Sequence, residues 1–113
     1  MKKISSLLVL LALGVAPALA SATTFHDVSL VDVGCSRKAA ANPDTHTRDC
    51  AISCAKSGFG IFTADHQFLK FDTRGNREAL EALKASHETD HIRVNVKGTV
   101  EGGTLKVSTL KLL

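Results

Sequence analysis

The chain has 113 residues, carries a formal +3 at pH 7 and is 44% hydrophobic, with five Phe but neither Trp nor Tyr. That length holds one small domain. The lack of large aromatics, and of any polybasic run, argues against nucleic-acid binding through base stacking and phosphate contacts.

The opening stretch, MKKISSLLVLLALGVAPALASA, has the three parts of a secretory signal peptide. Lys2 and Lys3 form a basic start, Ile4 to Val15 an almost unbroken apolar run, and Ala18-Leu19-Ala20 or Ala20-Ser21-Ala22 a small-x-small cleavage site. The predicted leader is residues 1–20, cut after 20 or 22, which leaves a single domain over 21–113. The apolar run is shorter than the roughly 20 residues a membrane-spanning helix needs, so no membrane attachment is expected after cleavage. Loss of Lys2 and Lys3 takes the basic count from 14 to 12 against 11 acids, and the domain keeps only +1. The expected location is periplasmic or secreted. All three Cys lie in the exported part, where disulfides persist. Their odd number leaves at least one outside any intramolecular bridge.

Residues 25–34, FHDVSLVDVG, read as a first strand, with Val28, Leu30 and Asp32 on one face and Ser29, Val31 and Val33 on the other. Cys35 closes it. SRKAAANPDTHT has loop composition, with Asn42-Pro43-Asp44 as a turn. Thr45 or Thr47 is placed to cap a short helix that ends at Gly58, with Lys56 in its last turn. GIFTA and QFLKFD form a hairpin around Asp65-His66, with Leu69 and Phe71 on one face and Phe68 and Lys70 on the other. DTRGNREALEALKASHE is the clearest helix. Asn76 is its expected cap, and Ala79, Leu80, Ala82 and Leu83 its narrow apolar stripe. The last segment is a long hairpin turning at Gly102-Gly103. Ile92, Val94 and Val96 alternate with polar residues, as in a strand with one wet face. Leu105 and Val107 keep one phase and Leu110 and Leu112 the other, which predicts a β-bulge near Ser108-Thr109.

The order is strand, short helix, two strands, helix, two strands. It predicts a mainly β, α+β domain: a five-stranded OB-like barrel with a helix between strands three and four and a Cys-bearing helix between strands one and two. The pieces VDVGC, CAISCAKSG, GIFTADHQFLKFD and VKGTVEGGTLKV also resemble, over roughly residues 26–112, small exported bacterial OB-fold proteins of largely unknown function. The resemblance implies a fold and a compartment. It implies no reaction, because a fold does not supply one.

Chemistry concentrates in Cys35, His46, Cys50 and Cys54. Cβ atoms four apart on a helix lie about 5–6 Å from each other, whereas a disulfide wants about 3.5–4.5 Å. A bridge therefore uses Cys35, with Cys50 or Cys54. Closing about 15 residues from Cys35 to Cys50 stabilises by roughly 3 kcal/mol in the chain-entropy account. In a second reading, His46, Cys50 and Cys54 share a helix face within roughly 80°, provided the helix begins early enough to include His46. Cys35 joins them from the strand end, as a Cys3His set for zinc or Cu(I). The spacing matches no zinc-finger or zinc-ribbon pattern. In a third reading, Cys50 near a helix N-terminus is an activated redox thiol. There is no Cys-x-x-Cys-His for a c-type haem.

His26, His66, His87 and His91 read as exposed turn or edge residues. Asp32 is the odd polar residue in an apolar strand. It is free to hydrogen-bond the loop beyond Cys35, to face solvent, or to join a site. The expected function is that of an exported, non-enzymatic binding or stress-related domain with a Cys-stapled core, an unknown ligand and partner, and a monomeric state. The alternatives are a zinc- or copper-handling protein and a thiol redox protein. No cofactor beyond such a metal is called for.

Overall fold

Alternation of apolar residues closes the domain. Val94 and Val96 on one strand and Leu105 and Val107 on the next all point inward and are buried, while their neighbours in sequence face outward. In this computed structural model, which describes residues 21–113, the strands are β1 (Thr23–Asp32), β2 (Phe59–Phe62), β3 (Phe68–Phe71), β4 (Arg93–Glu101) and β5 (Thr104–Leu112). They form a closed barrel in the order β1-β2-β3-β5-β4. All pairings are antiparallel except β3 with β5. This is the OB-like barrel the pattern predicts. The predicted leader, residues 1–20, lies outside the described residues. Among the described residues no helix is long and apolar enough to cross a membrane.

The phase switch in the last strand is real. Lys97 pairs with Thr109 and Gly98 with Val107, so Ser108 is the extra residue. Its hydroxyl donates to the Lys97 carbonyl at 3.1 Å. The bulge turns β5, so that Leu110 and Leu112 resume inward packing against the core. A second irregularity lies in β1 between Phe25 and Val28. There Asp27 takes φ 50°, a left-handed conformation, and its amide donates to the Asn95 side chain at 2.8 Å.

Helix α3 (Thr73–Ala85) lies where it was expected, but its cap differs. Asp72 is the N-cap and accepts from the Gly75 amide at 3.0 Å. The expected cap, Asn76, sits a turn inside the helix and accepts instead from the Phe59 amide at 2.8 Å. Both residue types cap well. The orphan amide at the start of β2 recruits Asn76, and that leaves Asp72 to begin the helix. A Cβ on Gly75 would stand 2.5 Å from Val107 Cγ2, so α3 lies tight on the barrel because that position has no side chain. Ala79 and Leu83 are buried against the barrel interior.

The segment between β1 and β2 is more structured than its composition suggests. A 3-10 turn (Val33–Cys35) leads into one helical turn, α1 (Ser36–Ala39), and a second 3-10 turn spans Pro43–Thr45. Ser36 ties this path together by donating to the Val33 carbonyl at 2.8 Å. Helix α2 (Arg48–Ser53) follows, capped by Thr47, which accepts from Cys50 N at 3.1 Å. Thr47 was one of the two expected caps. A last 3-10 turn (Ala55–Ser57) reaches Gly58, whose φ of 86° only glycine adopts without strain, and the chain enters β2. Val31, Ala39 and Phe62, with Phe68 beside them, form a small apolar cluster apart from the main core. It fastens α1 to the barrel wall. Ala51 of α2 packs into the main core. Arg48 donates from Nε to the Leu83 carbonyl at 2.7 Å and from Nη2 to the Lys84 carbonyl at 3.2 Å. Both carbonyls lie in the last turn of α3, where intrahelical partners run out, and the Leu83 carbonyl also accepts from Ser86 N at 3.2 Å.

Candidate metal site

Asp32 ends β1 and is fully buried, among the largest side chains with almost no exposure. A carboxylate there needs partners, because burying an unpaired charge costs several kcal/mol. Asp32 has two. Oδ2 accepts from the Cys35 amide at 2.8 Å and so caps the Val33–Cys35 turn. Oδ1 pairs with His46 Nε2 at 2.6 Å. A carboxylate only accepts, so this contact places the imidazole proton on Nε2. The His46 side chain is 11% exposed. Asp32 thus hydrogen-bonds the turn at Cys35, one of the alternatives left open for it, and it also pairs with His46.

His46 does not ride on the Cys helix. Its backbone is extended (φ −71°, ψ 127°) and it follows the Pro43–Thr45 turn, donating to the Pro43 carbonyl at 3.1 Å. Helix α2 begins only at Arg48, so the helix face shared by His46, Cys50 and Cys54 does not form. The turn carrying His46 is held by Asp44. Arg93 donates to Asp44 from Nε at 3.1 Å and from Nη2 at 3.0 Å, Ser29 Oγ donates at 3.2 Å, and the Asp44 carbonyl accepts from His91 N. The Arg93 fork holds the Asp44 carboxyl below its usual range.

The three cysteines separate into two kinds. All are free thiols, with Cys50 exposed and Cys35 and Cys54 half-buried. Cys35 and Cys54 lie on neighbouring segments. Two tethers hold their segments together. Gly34 N donates to Ser57 Oγ at 2.9 Å, and Val33 N donates to the Gly58 carbonyl at 2.8 Å. Ser57 in turn donates to the Cys54 carbonyl at 2.8 Å. Burial pushes the Cys35 thiol up to about 11, with the Asp32 charge and the neighbouring Cys54 acting in the same direction. Cys35 is therefore a neutral thiol at neutral pH and a poor nucleophile. A cation beside it would reverse that preference.

One potential ligand atom from each of Asp32, Cys35 and His46 lies within 4.8 Å of the others. Tetrahedral zinc, with Zn–S about 2.3 Å and Zn–N about 2.0 Å, brings its ligand atoms to roughly 3.3–3.8 Å from each other. The widest separation is therefore at most about 1.5 Å more than a bound ion needs. A hard carboxylate, an imidazole and a soft thiol suit zinc well and copper through the sulfur. Of the four residues singled out from the sequence, Cys35 and His46 converge, Cys54 lies on the segment tethered beside Cys35, and Cys50 belongs to no such group among the described residues. Asp32 is the addition. Its signal was an acid in phase with Val28 and Leu30, since a carboxylate on a core-facing stripe must find a partner. His26, His66, His87 and His91 are all exposed, as expected.

No buried side-chain nitrogen or oxygen among the described residues lacks a hydrogen-bond partner. The buried polar atoms of the group are satisfied through the Asp32–His46 pair and the Cys35 amide. No protein-family model, no curated protein and no solved structure matches the chain.

Proposed function

We propose that this protein is an exported, non-enzymatic binding domain that takes up one thiophilic metal ion, zinc or copper, on Asp32, Cys35 and His46. The convergence of those three side chains within 4.8 Å carries the reading. Three protein ligands leave one coordination position open, the arrangement of an exchangeable site rather than a closed structural one. The barrel and α1 supply the rigid frame. The leader directs the domain to the periplasm or the outside, and the absence of an activated nucleophile at Cys35 favours binding over catalysis. Kinship with small exported OB-fold proteins belongs to the same proposal.

The test is metal stoichiometry. The reduced protein, purified from the periplasm without oxygen, is titrated with Zn²⁺ and Cu⁺ and weighed by native mass spectrometry. One ion per chain is expected, lost in Cys35→Ser and His46→Ala and kept in Cys50→Ser. Absence of stoichiometric binding, or its loss in Cys50→Ser, overturns the assignment.

A second reading has its own observation. Cys35 and Cys54 sit on segments fastened by the Gly34–Ser57 and Val33–Gly58 hydrogen bonds, which suits a disulfide staple between them. It would close a loop of about 19 residues and stabilise by about 3 kcal/mol. Of the two partners considered for Cys35, those tethers favour Cys54. A thiol redox enzyme at Cys50 has less behind it. That residue is exposed, and its amide is occupied by the Thr47 cap.

A further inference from the structure

We propose that the domain carries a second binding site, a cleft for an uncharged saccharide, where the β1 bulge meets the β2–β3 turn. The cleft has a volume of about 380 Å³, within the roughly 300–1,000 Å³ range of small-molecule sites. Its walls come from four stretches: the bulge at His26–Ser29, the loop Ala41–Asp44, the β2–β3 turn around Thr63 and His66, and Arg93 of β4. None of the proposed metal ligands is among them. The fixed charges of the cleft are already engaged with each other. Arg93 donates from Nε and Nη2 to the Asp44 carboxylate at 3.1 and 3.0 Å. From Nη1 it donates to the Asp27 carbonyl at 2.7 Å and to the Asp27 carboxylate at 3.4 Å. Those bonds leave the guanidinium little to offer an anion. Two carboxylates against one guanidinium also give the walls a net negative charge while the imidazoles are neutral, which repels an anion further. A cation would come to rest beside Arg93 and be repelled in its turn.

What the cleft leaves free is neutral and able both to donate and to accept. His26, Asn42 and His66 line it, are exposed, and make no side-chain hydrogen bond to the rest of the described residues. A neutral imidazole has one donor and one acceptor, and a carboxamide has two donors and an acceptor. A sugar hydroxyl likewise does both, so each of these groups suits it in either sense. Val28 and Phe62, both buried, and the half-buried Pro43 add apolar lining for the C–H face of a ring. The lock of Arg93, Asp44 and Ser29, whose hydroxyl donates to Asp44 at 3.2 Å, sets this frame before any ligand arrives. The backbone supplies a second observation. Among the described residues, the non-glycine residues in the left-handed region are Asp27 (φ 50°), His66 (φ 62°) and His91 (φ 51°). The first two line the cleft, and His91 donates its amide to the Asp44 carbonyl at 2.9 Å. Such residues are uncommon and concentrate at ligand clamps and other functional sites. Here all three gather around one cleft.

The test is a titration of the reduced, metal-free, ¹⁵N-labelled domain followed by amide chemical shifts. The probes are glucose, N-acetylglucosamine and cellobiose, with glucosamine and glucose 6-phosphate as cationic and anionic forms of the same ring. At least one neutral sugar is expected to shift the amides of His26–Ser29, Asn42, Asp44 and Thr63–His66 saturably, with a dissociation constant on the order of 1 mM. Glucose 6-phosphate should bind at least about tenfold more weakly than glucose, and glucosamine no more tightly. Asn42→Ala and His66→Ala, both at exposed positions, should each weaken binding about tenfold, the loss of one hydrogen bond, while the circular dichroism stays native. The exposed Glu81→Ala on α3 should bind as wild type. No saturable shift with any neutral sugar would overturn the assignment. So would shifts centred away from the cleft, tighter binding of either charged sugar, or full affinity in both Asn42→Ala and His66→Ala.

Discussion

Asp32 and Asp44 are two carboxylates close in the fold with opposite fates. Asp44 is 26% exposed and meets a guanidinium that occupies both of its oxygens. Arginine stays charged and binds no metal, so that pair is a brace. Asp32 is fully buried and meets a backbone amide and an imidazole. Its neighbours His46 and Cys35 are themselves metal ligands by type. The same pairing that satisfies Asp32 in the empty site therefore assembles a donor set. What distinguishes a site from a brace here is the chemistry of the partner, more than the strength of the pair.

The sharpest way to break the comparison is Asp32→Asn. Removing one member of a buried pair costs about 3 kcal/mol, read as a drop in urea unfolding free energy of the metal-free protein, and stoichiometric zinc should vanish with it. A loss below about 1 kcal/mol, the worth of an exposed pair, would put Asp32 on the same footing as Asp44. Next in size is the metal itself. Stripping zinc should leave the far-UV circular dichroism native, because the empty site is self-satisfied. Adding it at about a hundred times its dissociation constant should stabilise by about 2.7 kcal/mol. Unfolding on chelation would show that the metal builds the domain.

Arg93→Met tests the brace. Arg93 and Asp44 are both partly exposed, so the stability cost should be only about 1 kcal/mol. The Pro43–Thr45 turn delivers His46, however, and loosening it should weaken zinc binding about tenfold. Competition against a chelating dye would measure this. Unchanged affinity would cut the link between brace and site. The smallest effect belongs to His91, exposed and raised above its usual pKa chiefly by its hydrogen bond to Asp90 at 2.8 Å. A raised histidine contributes stability that is fully present below its unfolded value of about 6.5 and is lost as pH rises through the folded value. Urea midpoints between about pH 5.5 and 8.5 should therefore decline slightly. Asp90→Asn should flatten that part of the profile, and an unaltered slope would remove the pair from the account.

Local features were legible in the sequence. The alternation at Val94 and Val96, the Gly102-Gly103 turn, the Thr47 cap, the outward histidines and the bulge at Ser108 each depend on a few adjacent residues. Asn76 shows where such reasoning stops. Its capping chemistry was recognised, but the amide it serves belongs to Phe59, in another strand. Asp72, with an equally good side chain, took the cap.

The sequence by itself determined the barrel, through period-two patterning and turn chemistry that act over a few residues, and it picked out Cys35, His46, Cys50 and Cys54 as candidate chemistry. Only the tertiary structure decided how they meet. His46 arrives through a turn braced by Arg93 of β4. The segment carrying Cys54 runs beside the turn of Cys35, because the Gly34–Ser57 and Val33–Gly58 bonds set the path back to the barrel. Asp32 becomes the buried centre, because three segments distant in sequence close over the end of β1. Those contacts depend on how the segment between β1 and β2 wraps the barrel wall, and no spacing along the chain encodes that path.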